Sequence, residues 1–293
     1  MQGVVTLAGE GTRMLPWTRG LRKEFLPLYD RGLDGAPVLK PVAHLVVETL
    51  ARAGVDRLTL VVQPKDLDFV RTYFTVDRGF LSRHRDHAER LVETRRFYRT
   101  IQDLEFSFVS QPTPAGFGDA VLRARETVGE APFLLHAGDG VLLERERGFL
   151  LRTMGDLLTR EDLDAVLLVR RVADPRRYGV VEGLRGPPAR GVRRLDVTGM
   201  VEKPPRPRTH WAATAAYAFR PSLFAGLEAY RRAARPRELE LTDGIRARLA
   251  LGGRVAALVL DPRFGEWRSV GSPEGYLRAL NRTRTLARRG AND

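Results

Sequence analysis

Cysteine is absent from this chain, lysine occurs only four times, and amide side chains are scarce, with two asparagines and four glutamines. Without cysteine there can be no disulfide and no thiolate chemistry, which fits a reducing compartment. No apolar run approaches the roughly 18 residues that a membrane-crossing helix needs. The opening residues, MQGVVTLAGEGTR, carry no basic stretch and no cleavage-site pattern. A secretory leader is therefore not predicted, and the expected location is the cytoplasm.

What is abundant is arginine. Of 49 basic residues only Lys23, Lys40, Lys65 and Lys203 are lysines, which leaves 45 arginines and a net charge of +13. The bias fits a GC-rich genome, a hot habitat, or both. The charge has two readings: attraction for polyanions such as nucleotides and sugar phosphates, or simply an arginine-rich solvated surface. No interleaving of aromatic with basic residues and no recognition-helix motif is present, so a nucleic-acid partner is not expected. With 293 residues, 43% of them hydrophobic and 29% charged, the chain is long enough for a sizeable core. One domain over 1–293 is the predicted organisation, and a homo-oligomer is left open.

Val4 to Leu7 reads as a buried strand that runs into a glycine-rich loop. Val42, Leu45, Val46, Thr49, Leu50 and Ala53 then fall at helical spacing, with Gly54 placed as the stop. Leu58 to Val62 follows as an unalternating strand, buried on both faces. Strand, helix, strand predicts a right-handed crossover and a parallel sheet. Further strands are expected at Phe106–Val109, Pro132–Ala137 and Ala165–Val169, with a helix through Phe117, Ala120, Val121 and Ala124. Residues 75–103 are highly charged with sparse apolar positions and read as a helical insertion. Turns and short runs over about 177–220 predict a mixed, partly antiparallel extension. Helices are expected near 221–233, 241–251 and 273–288.

In Leu7-Ala8-Gly9-Glu10-Gly11-Thr12-Arg13, glycines let the backbone approach a ligand and aim successive N–H groups at it. Arg13 adds a cationic fork suited to phosphate oxygens, and Lys23 follows ten residues later. A tight left-handed turn with no ligand explains the glycine pair equally well, and the spacing fits neither a Walker loop nor a dinucleotide fingerprint. Gln111 follows a strand and offers both an amide donor and an acceptor, enough to read a pyrimidine edge. Asp139 ends the apolar string PFLLHAGD, where a lone carboxylate calls for a hard cation or caps a turn.

Taken together the motifs resemble the nucleotide-sugar pyrophosphorylase family, most of all its UTP–glucose-1-phosphate uridylyltransferase branch. The likeness is carried by Ala8 to Arg13, Lys23-Glu24-Phe25-Leu26-Pro27, Gln111-Pro112, Gly116 to Ala120 and Gly138-Asp139. It continues through Tyr178-Gly179-Val180, Glu202-Lys203-Pro204, Leu241-Thr242-Asp243 and Gly271 to Tyr276, so it spans residues 3 to about 280. The helical insertion also resembles that branch rather than the shorter thymidylyl enzymes. The resemblance implies an α/β fold: a Rossmann-like, mixed but mostly parallel sheet flanked by helices, with the site above the strand ends.

It further implies a nucleoside triphosphate and a sugar 1-phosphate as substrates, Mg2+ as cofactor, and in-line transfer with release of pyrophosphate. The nucleotide-binding set carried over is Leu7, Ala8, Gly9, Gly11, Thr12, Gln111 and Gly116. The sugar-binding set is Tyr178, Gly179, Glu202 and Ala213. Arg13, Lys23 and Lys203 would bear the reacting phosphates, and Asp139 would hold the metal. Two positions depart from the pattern. Ser269 stands where the family has its second metal aspartate, and His210 where it usually has asparagine. A hydroxyl is a poorer magnesium ligand than a carboxylate, so two expectations stand: an enzyme with a reduced metal site, or a silent paralogue that binds nucleotide and regulates a partner.

Overall fold

Runs of valine and leucine form the inner strands, since a strand covered on both faces has no use for polar alternation. The computed structural model describes residues 1–289. Strand β1 (Gln2–Thr6) is followed by a hairpin of β2 (Pro27–Arg31) and β3 (Pro37–Pro41), then by helix α1 (Val42–Arg52) and β4 (Arg57–Val62). Helices α2 (Leu67–Tyr73), α3 (Arg78–Arg83) and α4 (Val92–Gln102) precede β5 (Glu105–Ser110). Next come α5 (Phe117–Arg123), α6 (Arg125–Val128), β6 (Phe133–Ala137), β7 (Gly140–Glu144), α7 (Phe149–Arg160) and β8 (Ala165–Arg171). Three long strands, β9 (Gly179–Ala189), β10 (Val192–Glu202) and β11 (Trp211–Phe219), lead to α8 (Ser222–Ala234) and α9 (Leu241–Ala250). The remaining elements are β12 (Val255–Val259), β13 (Gly265–Ser269) and α10 (Pro273–Arg289).

Nine strands form one sheet in the order β5-β4-β1-β6-β11-β8-β12-β10-β9. β5, β4, β1 and β6 are mutually parallel, as are β8 and β12. β11 runs antiparallel between β6 and β8, and β10 is antiparallel to both of its neighbours. The sheet is thus mixed, as expected, with seven of its nine strands pointing the same way and only β11 and β10 reversed, and β1–α1–β4 supplies the anticipated crossover between adjacent strands. Alternate residues of each strand feed two layers. Val5, Leu60, Leu134 and Leu168 pack with α1 and α7, whereas Val4, Val61, Leu135 and Leu167 pack with α5, α8 and α9.

Of the strands of residues 177–220, β10 and β9 extend the sheet at one edge, whereas β11 fills the place between β6 and β8. Residues 75–103 carry helices α3 and α4, but the segment is not merely solvated. Phe97 and Ile101 of α4 are buried in the core, and the Phe97 ring stacks on His44 with centroids 3.7 Å apart. The β2–β3 hairpin is not legible in the sequence because prolines bound it, and proline is a poor sign of a strand.

Beneath that hairpin lies a buried ion network. Lys40 Nζ is 2.9 Å from Asp30 Oδ2 and 3.0 Å from Glu48 Oε1, and Arg147 pairs with both Asp30 and Glu48. His44 Nε2 is also 3.1 Å from Glu48 Oε1. Burial opposes the charge of Glu48, but the His44 hydrogen bond and the Arg147 and Lys40 cations outweigh it. Its pKa falls from the ordinary 4.5 to about 2. A depressed carboxylate stabilises the fold above its unfolded pKa, and that contribution drains away as pH falls from 4.5 towards 2. Glu48→Gln takes one carboxylate from both Lys40 and Arg147, which keep only Asp30 between them and Glu93 beside Lys40, so urea unfolding at pH 7 is expected to show a loss of roughly 1.5–3 kcal/mol. The difference between pH 7 and pH 3 should shrink in the variant relative to the unsubstituted chain.

Candidate active site

Parallel neighbours send their chains out at one edge of the sheet, and the loops after β1, β4, β5 and β6 all emerge there. Those after β1, β5 and β6 line a cavity of about 410 Å³ whose wall includes Gly11, Arg13, Lys23, Gln111, Gly116 and Asp139. Side chains hold the glycine loop from behind. Gln63 Nε2 donates to Ala8 O at 2.8 Å, Arg22 Nη1 to Gly9 O at 3.1 Å, and Thr18 Oγ1 to Gly11 O at 2.9 Å. Arg22 is itself fixed by Asp66 and Gln63. With those carbonyls tied down, the successive amides of Gly9, Glu10, Gly11 and Thr12 have no backbone acceptor among the described residues. Gly11 does adopt the left-handed turn, at φ +68, and a Cβ there would lie 2.8 Å from Thr18 Cγ2. The tight turn and the row of amides are one feature, an anion-accepting nest.

Lys23 lies buried under the loop. Its Nζ is 2.7 Å from Asp139 Oδ2 and 3.7 Å from Glu24 Oε1. Burial works against the ammonium, but Asp139 and Glu24 together raise its pKa. Burial likewise opposes the Asp139 carboxylate, and Lys23 followed by Arg13 lowers its pKa nonetheless. Glu24 is only 2% exposed, and burial pushes its carboxyl from 4.5 up to about 7 against the pull of Lys23. Its Oε2 is buried and has no hydrogen-bond partner. Behind Asp139, burial lowers the pKa of His136 to about 4, so its imidazole is neutral. Its Nδ1 donates to Ala137 O at 2.8 Å.

Ser269 is placed by strand pairing: it stands opposite Gly140 in the β7–β13 ribbon, and Val270 N donates to Asp139 O at 2.8 Å. A Cβ at Gly271 would sit 3.1 Å from both Arg13 Nη2 and Asp139 Oδ2 and 3.3 Å from Ser269 Oγ. Arg13, Asp139 and Ser269 therefore surround one spot. Glu266 faces elsewhere and pairs with Arg268 and Arg282. Among the described residues no group of three or more acids or histidines forms a ready metal cage. The one-quarter-exposed Asp139 side chain and the orphaned Glu24 oxygen nevertheless fit a hard cation that keeps most of its ligands from water and phosphate.

Gln111 is buried, and its amide is already engaged: Nε2 donates to Gly116 O at 3.2 Å and to Asp119 Oδ2 at 2.9 Å. That leaves Oε1, an acceptor, rather than the donor–acceptor pair the sequence suggested. Gly116 has φ +103, and a Cβ there would lie 2.4 Å from Leu239 O.

The sugar set assembles nearby but does not line this cavity. Glu202, at the end of β10, pairs with Gly179 at the start of β9, and Lys203 N donates to Tyr178 O at 3.0 Å. Lys203 Nζ is 3.1 Å from Glu202 and 2.9 Å from Glu240, and Thr242 Oγ1 donates to Glu202 Oε2 at 2.7 Å. Ala213 lies on β11 opposite Val169, while Ala215 reaches the cavity wall. His210 is exposed and meets Val172 O at 3.0 Å. Sequence reasoning missed Arg22, Gln63, Glu24, Glu238 and Glu240. Gln63 was findable, since it follows β4 just as Gln111 follows β5.

A glycine nest, two cations and a carboxylate at the open ends of parallel strands define a phosphate-binding α/β protein. Residues 2–285 match the nucleotidyl transferase family, and the chain belongs to it. It is 29% identical over 257 residues to UTP–glucose-1-phosphate uridylyltransferase 2 of Streptococcus pyogenes, which spans 83% of this chain and 78% of that one. UTP–glucose-1-phosphate uridylyltransferase of Bacillus subtilis is 28% identical over 248 residues, with the same shares of 83% and 78%. The UTP-bound UGPase of Acinetobacter baumannii superposes with a TM-score of 0.77 at 26% identity, covering 96% of this chain and 92% of that one.

Gly116→Ala meets both a positive φ and the Leu239 backbone, so roughly 1–3 kcal/mol of stability should be lost. Nucleotide affinity, read by calorimetry, should fall with it. An unchanged melting temperature and affinity would show that the 111–118 turn is not held as described.

Proposed function

We propose that this chain transfers UMP from UTP to a sugar 1-phosphate, glucose 1-phosphate foremost, and releases pyrophosphate. The observation that carries the reading is the convergence of the amide nest, Arg13, Lys23 and Asp139 on one cavity at the strand ends. The names of the uridylyltransferase relatives agree with it. Residues 1–293 act as one unit in the cytoplasm in this reading, with the 75–103 helices as an insertion.

The loop from Leu7 through Gly9 and Gly11 to Thr12 offers amides to the triphosphate, and Arg13 neutralises its β and γ groups. The free Oε1 of Gln111 accepts from the N3–H of uracil, a donor that cytosine lacks. Gly116 lets backbone come close to the base. Tyr178, Gly179, Glu202 and Ala213 hold the sugar, while Lys203 and Lys23 bear its phosphate and the α-phosphate. A sugar-phosphate oxygen then attacks the α-phosphorus in line; the new P–O bond forms as the bond to the β-phosphate oxygen breaks. Such transfers ask for positioning and charge neutralisation more than covalent help. Asp139 would hold Mg2+, which supplies further charge neutralisation across the phosphates.

Pyrophosphate should appear when the chain is mixed with UTP, glucose 1-phosphate and Mg2+, and CTP should be a poor substitute. Arg13→Ala and Lys23→Ala should each lower kcat/KM by about 10²-fold or more. The hydroxyl at Ser269 favours a second reading, a silent nucleotide-binding relative. That reading prevails if no sugar phosphate is turned over while UTP binding, read by calorimetry, persists.

A further inference from the structure

Ser269 leaves the metal position beside Asp139 short of a carboxylate, and a second one stands close by on another element. Glu24 lines the same cavity as Asp139. Its side chain packs against the residue before Asp139, since a Cβ on Gly138 would lie 3.2 Å from Glu24 Cγ. The two carboxylates share one cation, with Lys23 Nζ 2.7 Å from Asp139 and 3.7 Å from Glu24. Glu24 Oε2 has no hydrogen-bond partner, although the side chain is 98% buried by its 2% exposure. A buried carboxylate oxygen left unpaired is costly, and a hard cation is a natural partner for it.

We propose that Glu24 takes over from residue 269 as the second carboxylate for the divalent cation, opposite Asp139. Lys23 then serves two states. Without substrate its ammonium neutralises both carboxylates. A triphosphate lying over the glycine loop offers Lys23 a stronger counter-charge, and the freed pair of carboxylates receives the metal that travels with the nucleotide. The 23–25 turn thereby couples phosphate capture to metal capture. This rests on the function proposed above.

The test counts bound Mn2+ by electron paramagnetic resonance in the presence of α,β-methylene UTP, which cannot be turned over. The unsubstituted chain should bind one Mn2+ tightly with the nucleotide. Glu24→Gln should weaken it by about tenfold or more, and adding Ser269→Asp should restore most of the loss. Glu24→Asp keeps the charge beside Lys23 but withdraws the ligand, so it too should lose Mn2+; it decides the matter if Glu24→Gln does not fold. Mn2+ affinity within about twofold of the parent in either folded variant would make Glu24 only the counter-ion of Lys23 and overturn the inference. A loss that Ser269→Asp leaves unrepaired would overturn it as well. Failure of the parent to bind Mn2+ with the nucleotide would sink the proposed function itself, and this inference with it.

Discussion

The Lys23–Asp139 ion pair is the contact on which the rest of the site depends. Lys23 comes from the chain that leaves the glycine loop, and Asp139 from the end of β6, so the pair locks two sheet exits together. Asp139 also accepts from Val270 through its carbonyl, which draws in the turn after β13. A buried pair is weak evidence for stability, because the desolvation of both charges offsets their attraction. What it does supply is geometry. Remove Asp139 and Lys23 keeps only the more distant Glu24; remove Lys23 and the Asp139 and Glu24 carboxylates lose the cation they share.

The two ends of the site are joined by a short backbone strap. Leu239 N donates to Ala115 O and Gly118 N to Leu239 O, both at 2.8 Å, so residues 238–240 pack directly on the turn that carries Gly116. The next residue, Glu240, caps α9 and holds Lys203. The turn that carries Gly116 and the Lys203 side chain are therefore joined through one short connector. The glycines at 116 and 118 are what permit so close a backbone approach, since a Cβ on either would enter the strap.

How far the sequence could be read follows from how local each signal was. Strands β1, β4, β6 and β8 and helix α1 are buried runs or regular apolar faces, and those patterns are visible without partners. The loop residues, Gln111 and Asp139 sit directly after such strands, so their convergence followed from the parallel order. The ion network of Lys40, Glu48 and Arg147 was invisible, because Arg147 lies 99 residues beyond Glu48 and charged residues are expected on the surface. The engagement of Gln111 with Asp119 escaped for the same reason: which donors a side chain has left depends on neighbours that only the fold supplies. Sequence position also could not tell that β11 enters the sheet between β6 and β8 while β10 and β9 close its edge, since pairing order is not written in any one segment.

The lysines carry one more argument. Arginine outnumbers lysine 45 to four in this chain, and three of the four lysines sit in settings that suit an ammonium better than a guanidinium. Lys65 is exposed, but the other three are each gripped by two or more carboxylates from different directions: Lys23 by Asp139 and Glu24, Lys40 by Asp30 and Glu48, Lys203 by Glu202 and Glu240. An ammonium is a compact point charge with three donors spread in space, whereas a guanidinium offers a flat fork suited to one carboxylate or phosphate in its plane. Lys23, Lys40 and Lys203 are thus cations that two acids approach from different sides. In the function proposed above, Lys23 and Lys203 meet the reacting phosphates, and an ammonium already shared between two acids is a charge that a small shift can redirect.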